Sequence, residues 1–306
     1  MSTTVRPIAA GLVPPVWPET IPGARFAAAI ERQSPKGCDI ALIGLPDDLG
    51  VRLNSGRPGA SKGPIEFRAA LARYGVADPP DITWPKVFDV GDIMPDTGSD
   101  ADALARTHAT ITSVVSEILN LGLFPIAIGG GHDLTFPFVR AVAQKHGTLD
   151  GVYLDAHLDV RPEPGSGMPF RRLIEDGHAR RLHVFGLNRV VTTEAHARWF
   201  TDHDGVIHAP DARPRTPEDF PVWPCFVSLD LDVIDSAHAP GVSAINPAGW
   251  SAADAQAAAV AAGRTPSVRC FDLMELSPPH DHDGRTARLA AHLFLSFLHG
   301  FAQRPR

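Results

Sequence analysis

Short apolar runs alternate along this chain with longer segments of helical periodicity. Runs rich in apolar residues and bounded by turn-forming residues predict strands that are buried on both faces. They cover residues 40–45, 87–90, 124–128, 151–154, 183–187, 226–229 and 268–274. Apolar positions repeating with the helical period predict helices over residues 64–74, 102–121, 135–146, 193–203, 251–262 and 285–301. Alternation of this kind is typical of an α/β fold with a parallel sheet and helices on both of its faces.

The chain shows neither an internal repeat nor a low-complexity linker. We therefore expect a single domain over residues 1–306, in which residues 1–36 form an N-terminal extension. The three cysteines are odd in number and widely spaced, which favours reduced core thiols over a disulfide framework.

Charge and hydropathy narrow the choice of partner. The 28 basic and 35 acidic side chains give a formal charge of −7, so no positive surplus is available for nucleic acid or an anionic membrane surface. A small-molecule substrate is the better expectation. Because the chain has no apolar run of membrane-spanning length and no signal-peptide pattern at its start, we expect a cytoplasmic protein.

Acidic and imidazole side chains follow two of the predicted strands. Asp155, His157 and Asp159 come after residues 151–154 at alternating positions, so an extended backbone would aim all three to one side. Asp230 and Asp232 repeat the arrangement after residues 226–229. In parallel α/β sheets, ligands bind beyond the carboxyl ends of the strands, which is where these side chains stand.

A further imidazole, His132, follows the strand at 124–128 and three glycines that permit a tight turn. Taken singly, each of these residues would more often be a helix cap or a hydrogen-bonded loop residue. Four carboxylates and two imidazoles at neighbouring strand ends, however, would repel one another unless cations neutralised them. Oxygen ligands with two histidine nitrogens suit manganese better than iron, cobalt or zinc, and two ions about 3.5–4 Å apart are usual in binuclear hydrolytic centres. The sequence thus predicts two Mn²⁺ per subunit, with the ligands His132, Asp155, His157, Asp159, Asp230 and Asp232.

The strings that contain these residues resemble the metal motifs of the arginase and agmatinase superfamily of ureohydrolases. They are Gly-Gly-Gly-His-Asp at 129–133, Asp-Ala-His-Leu-Asp at 155–159, Ser-Leu-Asp-Leu-Asp-Val-Ile-Asp at 228–235 with Ala-Pro-Gly at 239–241, and Asp-Leu-Met-Glu at 272–275. The resemblance runs from about residue 40 to residue 301. It implies a three-layer αβα domain with a central parallel sheet of eight strands, all six ligands, and a homo-oligomer, either trimer or hexamer. Glu275 matches the acidic residue that holds the amidine or guanidine group, although a salt-bridged strand-end carboxylate is the alternative.

The segment at 165–170, Gly-Ser-Gly-Met-Pro-Phe, indicates a branch of that superfamily. Ser166 stands where arginases and agmatinases have a proton-handling His, and the segment is similar to the Ser-Gly-Thr-Pro-Phe of formimidoylglutamases, with Met168 in place of Thr. The loop at 48–64, Arg161 and the run at 281–288 are similar to the same branch. Those enzymes hydrolyse N-formimidoyl-L-glutamate to L-glutamate and formamide in histidine degradation.

A substrate with two carboxylates needs cations and amide donors, and arginine can grip a carboxylate with two parallel hydrogen bonds. Arg161 is the first candidate, because it lies beside Asp159; for Arg161 and Arg57 alike, anchoring of their own loops is the alternative. The substrate-binding candidates are Arg161, Ser166, Asn54, Arg57, Asn188 and Arg189.

The expected mechanism assigns two catalytic side chains. Water activated by the metal ions attacks the formimidoyl carbon, Glu275 stabilises the amidinium, and Asp159 passes the proton of the water toward the departing amine. One alternative is another ureohydrolase (agmatinase, arginase or guanidino-acid hydrolase) that releases urea. Another is a non-catalytic, metal-binding regulatory protein.

Overall fold

The computed structural model describes residues 11–77 and 82–305. The strands are β1 Leu12–Val13, β2 Ile40–Leu45, β3 Val87–Ile93, β4 Phe124–Gly129, β5 Leu149–Leu154, β6 Ala179–Phe185, β7 Val206–Ile207, β8 Cys225–Asp230 and β9 Val268–Met274. The α-helices are α1 Leu49–Leu53, α2 Gly63–Leu71, α3 Ala101–Asn120, α4 Thr135–His146, α5 Pro169–Glu175, α6 Glu194–Asp202, α7 Ala252–Arg264 and α8 Arg285–Phe301.

Within the described residues, one sheet holds all nine strands in the order β1-β3-β2-β4-β9-β8-β5-β6-β7. Each neighbouring pair from β3 to β7 is parallel, and only β1 runs antiparallel to its neighbour β3. The predicted α/β class and the central parallel sheet of eight strands are confirmed, with β1 added at one edge.

Two apolar cores lie on the two faces of the sheet, which makes the fold three-layered. Because alternate strand residues point to opposite faces, Leu42 and Ile126 pack with α2, α7 and α8, whereas Ile43 and Ala127 pack with α3, α4 and α5. Every residue of β2 and β5 is buried, as expected of strands covered by helices on both sides. None of the helices described is both long and apolar enough to cross a membrane.

Four elements are absent from the sequence prediction. The two-residue strands β1 and β7 are too short to show any periodicity. The helix α1 has only five residues and contains a glycine, and α5 begins at Pro169 within a segment that resembles a loop. The strand β6 begins four residues earlier than predicted, since its exposed Arg180 and Arg181 lie at a sheet edge and do not read as part of an apolar run.

The described part of the N-terminal extension packs against the sheet. Leu12 and Val13 pair with the end of β3, and the indole N–H of Trp17 donates to Asp89 at 2.8 Å. Asp89 also accepts two hydrogen bonds from the buried guanidinium of Arg68, at 2.8 and 2.9 Å. The carboxylate of Asp89, on β3, is therefore shared by the extension and α2.

Candidate metal centre and substrate cavity

The tight turn after β4 places His132. Gly130 lies so close to the backbone of Asp47 that a Cβ at this position would stand 1.7 Å from the carbonyl oxygen, so no side chain fits there. The following residues turn into a short 3₁₀ helix that begins at His132, whose side chain is buried. Glycine at position 130 thus lets the turn after β4 pass close to the backbone of Asp47.

The segments after β5 and β8 bring the carboxylates inward by turns rather than by extended backbone. The amide of His157 donates to Asp155 Oδ1 at 2.6 Å, and Asp159 adopts a positive φ of 48°. After β8, the amide of Asp232 donates to Asp230 Oδ1 at 2.7 Å in the same manner. The extended conformation assumed for these runs was wrong, although the side chains still converge.

The six predicted ligands form two adjoining groups. His132 Nδ1 lies 3.2 Å from an oxygen of Asp155 and 3.0 Å from oxygens of both Asp159 and Asp230. The second group contains Asp155, His157 and Asp232, with His157 Nδ1 3.0 Å from Asp232. Asp155 belongs to both groups, as a carboxylate that bridges two ions would. Within each group the ligand atoms lie within 4.8 Å of one another.

Burial makes this arrangement costly without cations. Desolvation raises the pKa of Asp232 to about 6, and it likewise raises the pKa of Asp159 and of Asp230, assisted by the neighbouring carboxylates. Burial alone would lower the pKa of His132, but the attraction of Asp230 and the other carboxylates raises it well above its usual value.

Unpartnered ligand atoms show that a metal ion fits the site. Buried His132 Nδ1 and Asp155 Oδ2 have no hydrogen-bond partner among the described residues, although each lies beside the other ligand atoms. A divalent ion would replace the protons that otherwise hold the carboxylates together, and the donor set of imidazoles and carboxylates suits manganese.

A buried polar network fixes the orientation of His132 from behind. Its Nε2 lies 3.0 Å from Ser228 Oγ, and this hydroxyl donates to Asp272 Oδ1 at 2.5 Å. Thr135 donates to the other oxygen of Asp272 at 3.1 Å. Because the Ser228 proton is directed to Asp272, Ser228 accepts from Nε2–H of His132, which leaves the lone pair of Nδ1 facing the metal site.

Glu275 lies at the end of β9, which the sheet places between β4 and β8. It has a positive φ of 66°, and its Oε1 accepts the backbone N–H of His132 at 2.9 Å. Its Oε2 is buried and has no hydrogen-bond partner among the described residues. Burial, followed by the charges of Asp230 and Asp232, raises the pKa of Glu275 well above its usual value. A cationic group in the cavity would supply the missing partner of Oε2 and would lower the pKa of Glu275.

These side chains border a cavity of about 270 Å³. Asn54 bridges two of its other lining residues, because its Oδ1 accepts from Arg161 Nη1 at 2.7 Å and its Nδ2 donates to Ser166 Oγ at 3.3 Å. Gly167 leaves room for the Arg161 side chain, because a Cβ at this position would lie only 2.9 Å from it. The guanidinium of Arg161, with Asn54 and Ser166, thus lines the same cavity as Glu275 and five of the six candidate ligands, all except Asp155.

Comparison with known proteins matches this geometry to a family. The model of the arginase family matches residues 38–300, which is most of the chain. The chain belongs to the arginase family. It is 35% identical to formimidoylglutamase of Aromatoleum aromaticum over 89% of this chain and 86% of that protein, and 31% identical to the mitochondrial guanidino acid hydrolase of Homo sapiens over 87% and 79%. The crystal structure of Trypanosoma cruzi formiminoglutamase with Mn²⁺ superposes with a TM-score of 0.84 at 33% identity, covering 92% of this chain and 99% of that one.

The other substrate-binding candidates of this arginase-family chain lie outside the cavity lining. The guanidinium of Arg57 donates to the carbonyl oxygens of Ser243 and Val242, each at 2.8 Å. Asn188 and Arg189 border a separate cavity beside Trp250, and Asn188 Oδ1 accepts from the amide of Val190.

Met168, the departure from the formimidoylglutamase-like segment, is buried in the core that contains α3, α4 and α5. It borders a different cavity from the one that contains the ligands. The identity of residue 168 therefore has no direct bearing on what the ligand-lined cavity accepts.

Several residues that line the cavity were missed by sequence reasoning. They are Val191, Thr192, Thr193, His196, Ser243 and Ala244. The first four lie in the loop before α6 and in the first turn of that helix. The only sequence signal that could have identified them as cavity residues is that this segment follows a predicted parallel strand. His196 is the notable omission, because it is an imidazole that belongs to neither group of metal ligands.

Proposed function

We propose that this protein hydrolyses the C–N bond of N-formimidoyl-L-glutamate, releasing L-glutamate and formamide, with two Mn²⁺ held by the six ligands. The observation that carries the proposal is the position of Glu275, a buried carboxylate whose Oε2 lacks a partner among the described residues, beside a complete set of candidate ligands for two ions. The names of several relatives and the presence of Mn²⁺ in a similar crystal structure support the same substrate and metal.

Glu275 binds the formimidoyl group. At neutral pH the amidine of the substrate is a cation, and Oε2 of Glu275 is the buried acceptor that lacks a partner among the described residues. A charge-assisted hydrogen bond there satisfies the carboxylate and places the amidine carbon next to the metal ligands. Oε1 accepts the His132 amide, and this hydrogen bond orients the carboxylate.

Metal ions bound by the six candidate ligands would activate a water and stabilise negative charge on oxygen. Asp159 accepts the proton that the water loses, because its carboxylate lines the cavity at the edge of the ligand group. Its side chain is the most exposed of the carboxylates around His132, at 15%, which leaves it open to the cavity.

Arg161 and Asn54 recognise the glutamate portion. The Arg161 guanidinium is exposed at the cavity and is held by Asn54, so it is presented without a carboxylate partner in the described structure. A substrate carboxylate would supply the missing anion. Ser166 offers a hydroxyl for orientation, since it has no pKa that suits proton transfer near neutral pH.

A product assay tests the proposal. Manganese-loaded protein is given N-formimidoyl-L-glutamate, L-arginine, agmatine and 4-guanidinobutyrate in parallel, and formamide, glutamate and urea are measured. Formamide with glutamate from the first substrate alone is the expected result. Urea from a guanidino compound would instead identify a urea-releasing enzyme, such as the human guanidino acid hydrolase that this chain resembles. Metal-loaded protein that turns over none of the four would reject the proposal.

We propose further that residues 1–306 act as one cytoplasmic domain that assembles as a trimer or hexamer. The superfamily resemblance supports this oligomeric state, and light scattering on the purified protein measures it directly. A monomeric mass with full activity would refute it.

A further inference from the structure

Cleavage of an amidine requires a proton on the departing nitrogen. The leaving group is an alkyl amine, which cannot leave as an anion in water. A side chain that exchanges protons near neutral pH must therefore reach this nitrogen.

The cavity contains few groups that could do so. Its ionisable lining side chains are His132, His157, Asp159, Asp230, Asp232, Arg161, Glu275 and His196. The first five are candidate metal ligands, of which Asp159 takes up the proton of the water. Arg161 keeps its proton throughout the physiological range, and Glu275 carries the amidine. The remaining polar side chains are amides and hydroxyls. His196 is thus the one imidazole of the described lining that neither metal nor amidine occupies.

We propose that His196, rather than Asp159, is the general acid that protonates the departing amine as the C–N bond breaks, a role that rests on the proposed hydrolysis of N-formimidoyl-L-glutamate. His196 stands in the first turn of α6, where its backbone N–H donates to the capping hydroxyl of Thr193 at 3.2 Å. Its ring is partly exposed and makes no hydrogen bond to any described residue. The backbone is therefore fixed while the ring nitrogens stay available to a substrate.

The charges around His196 suit this task. Burial, followed by the positive charge of Arg161, lowers the pKa of His196, while Asp159 and Glu163 raise it and Arg171 lowers it. A substrate carboxylate that pairs with Arg161 cancels the repulsive charge. Loss of that repulsion would favour the protonated imidazole, which is the form needed for catalysis.

The protons balance over one turnover. The water adds to the amidinium carbon and its proton goes to Asp159. His196 then protonates the alkyl nitrogen, the C–N bond breaks, and the electron pair of the bond stays on the amine. Protonated formamide returns a proton to His196, and the proton on Asp159 converts the amine to its ammonium form, so that both side chains regain their starting states.

The test compares His196→Gln and His196→Ala with wild type and with a matched control, His203→Gln. His203 lies at the end of the same helix, is exposed, and stacks on Trp199 away from the cavity lining. Manganese content and thermal midpoint are measured first for each variant. Kinetics are then measured with N-formimidoyl-L-glutamate and with N-formimidoyl-4-aminobenzoate, whose aryl amine is far less basic.

We expect kcat on N-formimidoyl-L-glutamate to fall at least 100-fold in His196→Gln, as usual for loss of a general acid, with KM changed less than threefold. The loss on the aryl substrate should be at least tenfold smaller. Wild-type kcat should decline at high pH with an ionisation that the variant lacks, and added imidazole should restore part of the activity of His196→Ala. His203→Gln should resemble wild type in every readout.

Equal losses on both substrates, with no rescue by imidazole and an unchanged decline at high pH, would overturn the proposed role of His196 and leave the proposed function intact. A wild-type protein that releases no formamide from either substrate would reject the proposed function itself. The wild-type result therefore separates the two failures.

Discussion

The hydroxyl of Ser228 donates a 2.5 Å hydrogen bond to Asp272, and both side chains are buried behind the metal site. Burial raises the pKa of Asp272 to about 6, so at neutral pH this group is mainly a carboxylate that accepts hydrogen bonds. Ser228 in turn accepts from Nε2 of His132, which fixes the ring tautomer in which Nδ1 can bind a metal ion.

Replacing Ser228 by Ala should therefore weaken manganese binding. Loss of an outer partner of a metal-bound histidine typically lowers affinity by about 10–100-fold. Titration calorimetry with Mn²⁺ on the metal-free protein measures the effect. Ser296→Ala is the matched control. The hydroxyl of Ser296 is buried in α8 and donates to the carbonyl of His292 in the same helix, and neither residue is a candidate ligand. Equal affinities for the two variants would show that Ser228 does not orient His132.

Glu275→Gln should abolish recognition of the amidinium without loss of metal. The substitution keeps the shape of the side chain and its acceptor for the His132 amide, but it removes the charge that pairs with the substrate. We expect kcat/KM to fall on the order of 100-fold or more, as for loss of one partner of a buried charge pair. Steady-state kinetics together with metal analysis measure it.

The control for this substitution is Glu175→Gln, which alters an exposed carboxylate of α5 paired with Arg171. This variant should behave as wild type. A Glu275→Gln protein that keeps full activity would mean that Glu275 only supports the turn after β9.

Arg161→Ala should raise KM for N-formimidoyl-L-glutamate by about tenfold, because an exposed cation that grips a carboxylate contributes on the order of 1.4 kcal/mol. Turnover of N-formimidoyl-propylamine, which has no carboxylate, should not change. Arg189→Ala provides the comparison, since Arg189 borders a different cavity and should alter KM less than twofold. A larger effect at Arg189 than at Arg161 would contradict this account of carboxylate binding.

Metal removal should make stability depend on pH. The pKa of Asp232 in the folded, metal-free protein is about 6, above its value near 3.9 in the unfolded chain, so its favourable contribution is present below pH 4. That contribution is lost as pH rises through 6. The raised pKa values of Asp159 and Asp230 act in the same direction.

Manganese neutralises these carboxylates without protons, so the loaded protein should not show this loss. The difference in thermal midpoint between loaded and chelated protein should therefore widen from pH 5 to pH 7.5. At a metal concentration 100 times Kd the added stability is about 2.7 kcal/mol, which corresponds to a shift of several degrees. Differential scanning calorimetry checks both points, and parallel curves for the two forms would contradict them.

The central strands and the convergence of the six candidate ligands were predictable because their signals are local. Residues 40–45 and 268–274 are apolar runs that become strands with the predicted bounds, and the helices at 135–146 and 285–301 likewise match. Asp155 and Asp230 stand directly at strand ends, so the parallel-sheet rule was enough to place them at one edge. The elements that were missed, such as β7 and α1, are too short for a periodic pattern to form.

Residue type and spacing along single strands and their turns were enough to predict the α/β class, the six candidate metal ligands and the candidate Glu275. Packing of the whole chain sets which strands are neighbours. It places β9 between β4 and β8, so that Glu275 meets His132. It also brings Asn54 into contact with Arg161 and Ser166. Arg57 and Arg189 lie outside the lining of this cavity, whereas His196 is part of it. These contacts join residues tens to more than a hundred positions apart, and their formation depends on how strands and loops pack rather than on any local pattern.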